Sequence, residues 1–317
     1  MRDCFPGATA VYGKKQSGKR MPRKDRIDAL GAIALITFSA SLGLNQALVK
    51  LVNEGMAPIF QAGMRSAVAF PVVMLFAFVA GRKLSLTDGL LIPGLFTGVL
   101  FAAEFMLLFQ SVEYSSVARI SILFYTMPMW VALGAHFLIP GERLTKLRIL
   151  GLLLAVGGVA LALSDQEIAA REDAWIGDVM ALVASTLWAA IALIARTTAM
   201  SKSRPEMQLL YQLVVSAPIL IVIAIYTGDT YRDMTMTHLY IFLFQSLAIV
   251  GVGFLTWFWV LSIYPASDMA SFGFLAPLFG VLSGWLIFHE SISPAIIGAL
   301  VMVGLGIVLV NRKPAPK

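Results

Sequence analysis

YSSVARISILFYTMP (114–128) returns in altered form as YPASDMASFGFLAP (264–277), and that recurrence decides how the chain is built. Each copy opens on a tyrosine and closes on a proline. Each is followed by an acidic turn, PGERLT (140–145) or FHESIS (288–293), and then by a glycine-rich apolar run, GLLLAVGGVALAL (151–163) or GALVMVGLGIVLV (298–310). Upstream, Pro58, Arg65 and Pro71 stand opposite Pro205, Gln212 and Pro218, all at an offset of 147. The chain therefore reads as two copies of one unit.

Composition says what medium the unit occupies. Charged residues make up 13% of the chain, against about 25% in a soluble domain. Apolar runs of about twenty residues, long enough to cross a bilayer, recur from Ile27 onward. Ten such spans are expected, five per copy. The reading is an all-α membrane protein, ten transmembrane helices arranged as two inverted five-helix repeats. Five is odd, so the second copy must cross the membrane the opposite way, an arrangement that recurs among secondary transporters. The expected divisions are a basic cytoplasmic tail (1–26), repeat 1 (27–164), an external linker (165–173), repeat 2 (174–311) and a cytoplasmic C-terminal tail (312–317).

Lys and Arg set the orientation. With the N-terminus inside, 19 fall on inner segments and 4 on outer ones, Arg65 lying within a span. The positive-inside bias thus places both termini in the cytoplasm, in a plasma membrane of the bacterial inner-membrane kind. It also accounts for the net charge of +6 without nucleic acid. The tail shows no signal-peptide core, and Met21 offers an alternative start immediately before the first span.

The order GMRSAVAFPVVMLFAF (63–78), FQSVEYSSVARISILFYTMPMWVALGAHFLIPGERLT (109–145), a glycine-rich span and IGDVMALVASTLWAAIALIAR (176–196) resembles the EamA family of the drug/metabolite transporter superfamily. Two tandem EamA units would cover 27–311. The resemblance implies a central cavity lined mainly by spans 1, 3, 4, 6, 8 and 9, and movement of small solutes, often export of amino acids or other metabolites. The first span departs from the family's common tryptophan-containing stretch, reading TFSASLGLNQALVK (37–50), with Trp188 appearing only in span 6.

Within FAAEFMLLFQ (101–110), Glu104 stands alone among apolar residues. Arg65 falls at similar depth on the neighbouring span. Either charge facing lipid near mid-membrane would cost about 2.5–3.5 kcal/mol, so both are expected to point inward, at each other or at a wet cavity. A Glu104–Arg65 ion pair that only fixes packing is one reading. The other is a carboxylate that binds a substrate ammonium or a proton, its titration pulled in opposite senses by desolvation and by Arg65. Thr37, Ser41 and Asn45 form a polar stripe on span 1. Arg119, a snorkelling residue on one view, could also pair with Glu104 or meet a substrate carboxylate. Tyr125, Trp188 and Trp257 could wall a pocket, while Trp259 and Tyr264 read better as interfacial belt residues. Gln212 and Asp268, the counterparts of Arg65 and Arg119, complete the candidate set.

Other chemistries find no footing. There is no GxxxxGK[ST] phosphate loop, no GxSxG nucleophile turn and no HExxH. His136, His238 and His289 are scattered, and Cys4 is the single cysteine. No enzyme, cofactor or metal is expected. The expected partners are a small-molecule substrate and the lipid bilayer, with a monomer or homodimer. The function expected is a secondary transporter moving an amino acid or related metabolite, by preference outward. Uptake of a metabolite or vitamin, or a non-transporting scaffold or sensor that keeps the fold, are the alternatives.

Overall fold

The computed structural model describes residues 27–81, 89–140, 142–165, 172–253, 256, 260, 264 and 272–311. The basic tail, most of the linker, the C-terminal tail, Trp257, Trp259 and Asp268 lie outside these. Every extended element among the described residues is helical. Repeat 1 contributes α1 (Ala29–Asn53), α2 (Pro58–Val79), α3 (Leu91–Tyr114), α4 (Val117–Phe124), α5 (Met127–Leu138) and α6 (Lys146–Leu163). Repeat 2 contributes α7 (Ala174–Thr197), α8 (Pro205–Thr227), α9 (Met236–Leu243), a π-helical stretch (Phe244–Val252), α10 (Leu275–Phe288) and α11 (Pro294–Asn311). Helices α4 and α5 together make one span, broken at Tyr125–Thr126 where Pro128 cannot continue the ladder. Among the described residues eight spans are long and apolar enough to cross a membrane, and the shorter Met236–Gly251 and Leu275–Phe288 take the eighth and ninth places. This is the ten-span, two-repeat membrane fold.

Local chemistry fixes the helix ends. Asp28 caps α1 by accepting from Gly31 N–H at 3.0 Å. Thr145 and Thr235 do the same for α6 and α9. Pro58 and Pro205 open α2 and α8, where a missing N–H costs nothing. Gly228 closes α8 in the left-handed conformation, φ 72°. Pro71 and Pro218 sit inside α2 and α8 at matching places.

Packing follows the repeat. Helix α2 packs on its counterpart α8, and α6 on its counterpart α11. Helix α1 packs on α10, as α7 packs on α4 and α5. The α6–α11 seam is the tightest kind of contact: a Cβ on Gly151 would come within 2.9 Å of Gly306 O, and one on Gly306 within 2.7 Å of Gly151 O. Glycines Gly94 and Gly98 press likewise against Tyr211 and Val215 of α8, so their four-residue spacing serves helix contact.

The turn between α1 and α2 and the one between α8 and α9 lie together, since Ala57 N–H donates to Thr230 O and Met56 pairs with Tyr231. This face also carries the α3–α4 turn and is called the Lys50 end below.

Candidate functional site

Helix α3 runs on to Tyr114, ten residues past Glu104, which places that carboxylate well inside its span. At 1.5 Å per residue, Asn45, Gln46, Arg65 and Glu104 all lie about 10–15 Å from the Lys50 end of their helices. Each is nearly completely buried. They form a polar layer within an apolar bundle.

Inside that layer the expected salt bridge is absent. Arg65 makes no ion pair with Glu104 among the described residues. Instead Arg65 Nη1 donates to Asn45 Oδ1 at 3.3 Å. Its guanidinium lies 4.5 Å from the centroid of the Phe105 ring and 4.7 Å from that of Phe109. The reason is sequence spacing: Phe105 and Phe109 are one turn apart on α3 and present stacked ring faces, a surface that holds a weakly hydrated planar cation. The same arrangement leaves Glu104 Oε2 buried with no hydrogen-bond partner among the described residues, and Arg65 Nε likewise.

Four side-chain amides share this condition: Gln46 Oε1, Asn53 Oδ1 and both side-chain heteroatoms of Gln61 and Gln245 are buried without partners among the described residues. A buried amide without a hydrogen bond costs about 1–3 kcal/mol on protein mutational scales. Several such groups in one protein point to a polar ligand or water that completes them. Gln245 and the buried Ser246 sit in the π-helical stretch Phe244–Val252. Such windings are uncommon and gather at functional sites, because the wider turn re-aims side chains. Sequence reading missed all three glutamines, since it searched apolar runs for charge. Depth matching with Arg65 would have singled out Gln46 and Gln245.

Arg119 is neither a snorkeller nor a partner of Glu104. Its Nη2 lies 2.5 Å from Asp178 Oδ2, and Ser115 Oγ donates to Asp178 Oδ1 at 3.2 Å. Asp178 is a further missed residue. Its signal was a depth one turn into span 6, equal to that of Arg119 in span 4. A cleft of about 350 Å³ lined by Arg119, Asp178, Trp175, Glu172 and Leu163 opens beside the pair, apart from the Glu104 layer.

The remaining candidates scatter. Tyr125 is buried in the core at the α4–α5 break, with its ring edge-on to Phe124. Beside it Thr126 Oγ1 and Ser185 Oγ are 3.3 Å apart, tying the break to α7. Trp188 lies on an exposed flank of α7, and Gln212 is half-buried on α8. Trp257 and Asp268 fall outside the described residues. Tyr264 is no belt residue: it is 2% exposed, and its hydroxyl meets Asp28 at the start of α1.

A polytopic bundle of two repeats with a buried, incompletely satisfied polar layer defines a membrane transporter. The profile of the EamA-like transporter family matches residues 29–164 and 175–312, and the chain belongs to that family. It is 27% identical over 305 residues to "Probable amino-acid metabolite efflux pump" of Escherichia coli (strain K12), covering 90% of this chain and 94% of the relative. It is 22% identical to "Uncharacterized transporter YoaV" of Bacillus subtilis (strain 168), covering 87% and 94%. A solved crystal structure superposes with a TM-score of 0.64 at 18% identity, covering 88% of this chain and 97% of the other, which shows the fold.

Proposed function

We propose that the chain exports an amino acid or a related small metabolite by alternating access, with both termini in the cytoplasm and the Lys50 end facing outward. The substrate site is the polar layer of Asn45, Gln46, Arg65, Glu104 and Gln245, with Gln61 one turn nearer the Lys50 end. The observation that carries this is the Glu104 carboxylate, buried near mid-membrane with its Oε2 unpartnered among the described residues, in one layer with an arginine that is held by aromatic rings. An ammonium group brought to Glu104 and a carboxylate brought to Arg65 would complete both charges at once. The efflux pump named above supports amino-acid-like cargo. The distribution of Lys and Arg supports the orientation.

Coupling to protons through Glu104 is part of the proposal. Purified protein in proteoliposomes, loaded with a panel of amino acids and related metabolites, should release one class of them faster when a pH gradient is imposed. Glu104→Gln should abolish that stimulation. A Glu104→Gln protein with wild-type rate and pH dependence would exclude the role.

A further inference from the structure

We propose that Glu290 is the latch of a gate at the Lys50 end, closing that end by gripping the N-terminus of α4, and that Glu142 with Arg196 is its inverted counterpart at the opposite end. The proposal rests on the alternating-access reading above and adds to it the residues that hold one end shut.

Glu290 belongs to repeat 2 and every group it grips belongs to repeat 1. Its Oε1 accepts from Val117 N–H at 2.8 Å and its Oε2 from Ala118 N–H at 3.0 Å. These are the first two amides of α4, which have no partner within the helix and carry the positive end of its dipole. Lys50 Nζ, at 3.3 Å from Oε1, adds a full charge from the end of α1. The lysine is held in place by Ser115 O at 3.4 Å and by the Phe288 ring, whose centroid lies 4.8 Å away. One carboxylate thus joins the α10–α11 turn to both α1 and α4, and its lysine lies one turn beyond Gln46 on α1.

Backbone strain aims it. His289, which ends α10, has φ 52°, the one positive φ of a non-glycine residue among those described. A side chain in that region costs of order 1–3 kcal/mol and persists only where the surroundings impose it. The bend brings Glu290 N–H to Gly284 O at 3.3 Å and folds the carboxylate back over α10. Gly284 makes room for it: a Cβ there would lie 2.3 Å from Glu290 Oε2 and 3.2 Å from Ala118 N.

The repeat supplies the counterpart. Glu142 lies opposite Glu290, in PGERLT against FHESIS, and Arg196 lies opposite Lys50, all close to the 147-residue offset. Arg196 and Glu142 form an ion pair at the other end of the bundle, with side chains 43% and 35% exposed. Lys50 and Glu290 are 20% and 12% exposed. Two equivalent ties in an inverted repeat, one drawn in and one at the surface, match a state sealed at the Lys50 end. In the opposite state the burial of the two ties would exchange.

The test reads conformation without needing the substrate. In a Cys4→Ser background, Gln46→Cys is placed in the layer below the latch and labelled with a membrane-impermeant maleimide from the Lys50 side. Glu290→Gln should raise the labelling rate on the order of tenfold, equivalent to about 1.4 kcal/mol in an open–closed equilibrium. Gly284→Ala, which displaces the carboxylate without changing it, should do the same. Should Glu290→Gln misfold, Gly284→Ala and Lys50→Gln carry the test. The exchange Lys50→Glu with Glu290→Lys should not restore protection, because a lysine cannot accept from Val117 and Ala118. Unchanged labelling in folded Glu290→Gln and Gly284→Ala proteins, or full restoration by the exchange, would overturn the latch. A protein that transports nothing while the labelling changes as described would remove the transport reading and leave the latch standing.

Discussion

Arg119 and Asp178 bind each other at 2.5 Å with both side chains 4% exposed, and the pair joins α4 of the first repeat to α7 of the second. Removing one partner from a buried pair leaves an uncompensated charge, at about 3–5 kcal/mol, whereas replacing both with apolar residues can be near neutral. Asp178→Leu or Arg119→Met alone should therefore lower the melting temperature and the yield of monodisperse protein in detergent. The double variant should recover most of the loss. A double variant worse than either single would show that the pair's remaining hydrogen bonds matter more than its charges.

Arg65 depends on ring faces as well as on charge. Arg65→Lys keeps the charge but loses the planar contact with Phe105 and Phe109, an interaction of about 0.5–2 kcal/mol. A thermal-unfolding cycle of Arg65→Lys with Phe105→Leu should give a coupling energy in that range. Coupling near zero would assign Arg65 to Asn45 alone.

Glycines on the α6–α11 seam should differ by what they face. Gly151→Ala drives a Cβ into the backbone carbonyl of Gly306 and should cost about 1–3 kcal/mol, as overpacking does. Gly157→Ala meets the terminal methyl of Met302, which can swing aside. Its melting temperature should stay close to wild type.

Outside the spans, Arg232 is braced by Glu113, Asp229 and the carbonyl of Asn53. The hydrogen bond to Glu113 is the main reason its guanidinium titrates above the usual arginine range, with burial acting the other way. A cation whose folded pKa is raised contributes stability that is lost only as pH climbs into the far alkaline range. Arg232→Gln should thus weaken the protein equally at mildly acid and mildly alkaline pH. The side chains are 35% and 29% exposed, so the effect should stay under about 1 kcal/mol and shrink with added salt.

Much of the architecture was written in the sequence because a bilayer enforces it. Span length, the odd number of spans per copy and the paired Pro58/Pro205 and Pro71/Pro218 follow from apolar runs and backbone rules that tolerate few solutions. The site was legible only in depth. Residue spacing places Glu104 and Arg65 in one layer, but which partner a charge takes depends on rotation of the helix about its axis. That rotation gave Arg65 to Asn45, Phe105 and Phe109, and gave Arg119 to Asp178. The π-helical winding at Gln245 has no local signal in FQSLAIVGV, which contains neither proline nor charge.

The glycine seam of α6 and α11 has a mechanical meaning. Backbone meets backbone there, with Gly151 and Gly306 each pressed on the other's carbonyl. Surfaces meshed that closely cannot slide by a fraction of a turn without collision. The final helices of the two repeats are therefore locked together as a shared spine, and under the proposed alternating access they should move as one body against the helices around the polar layer.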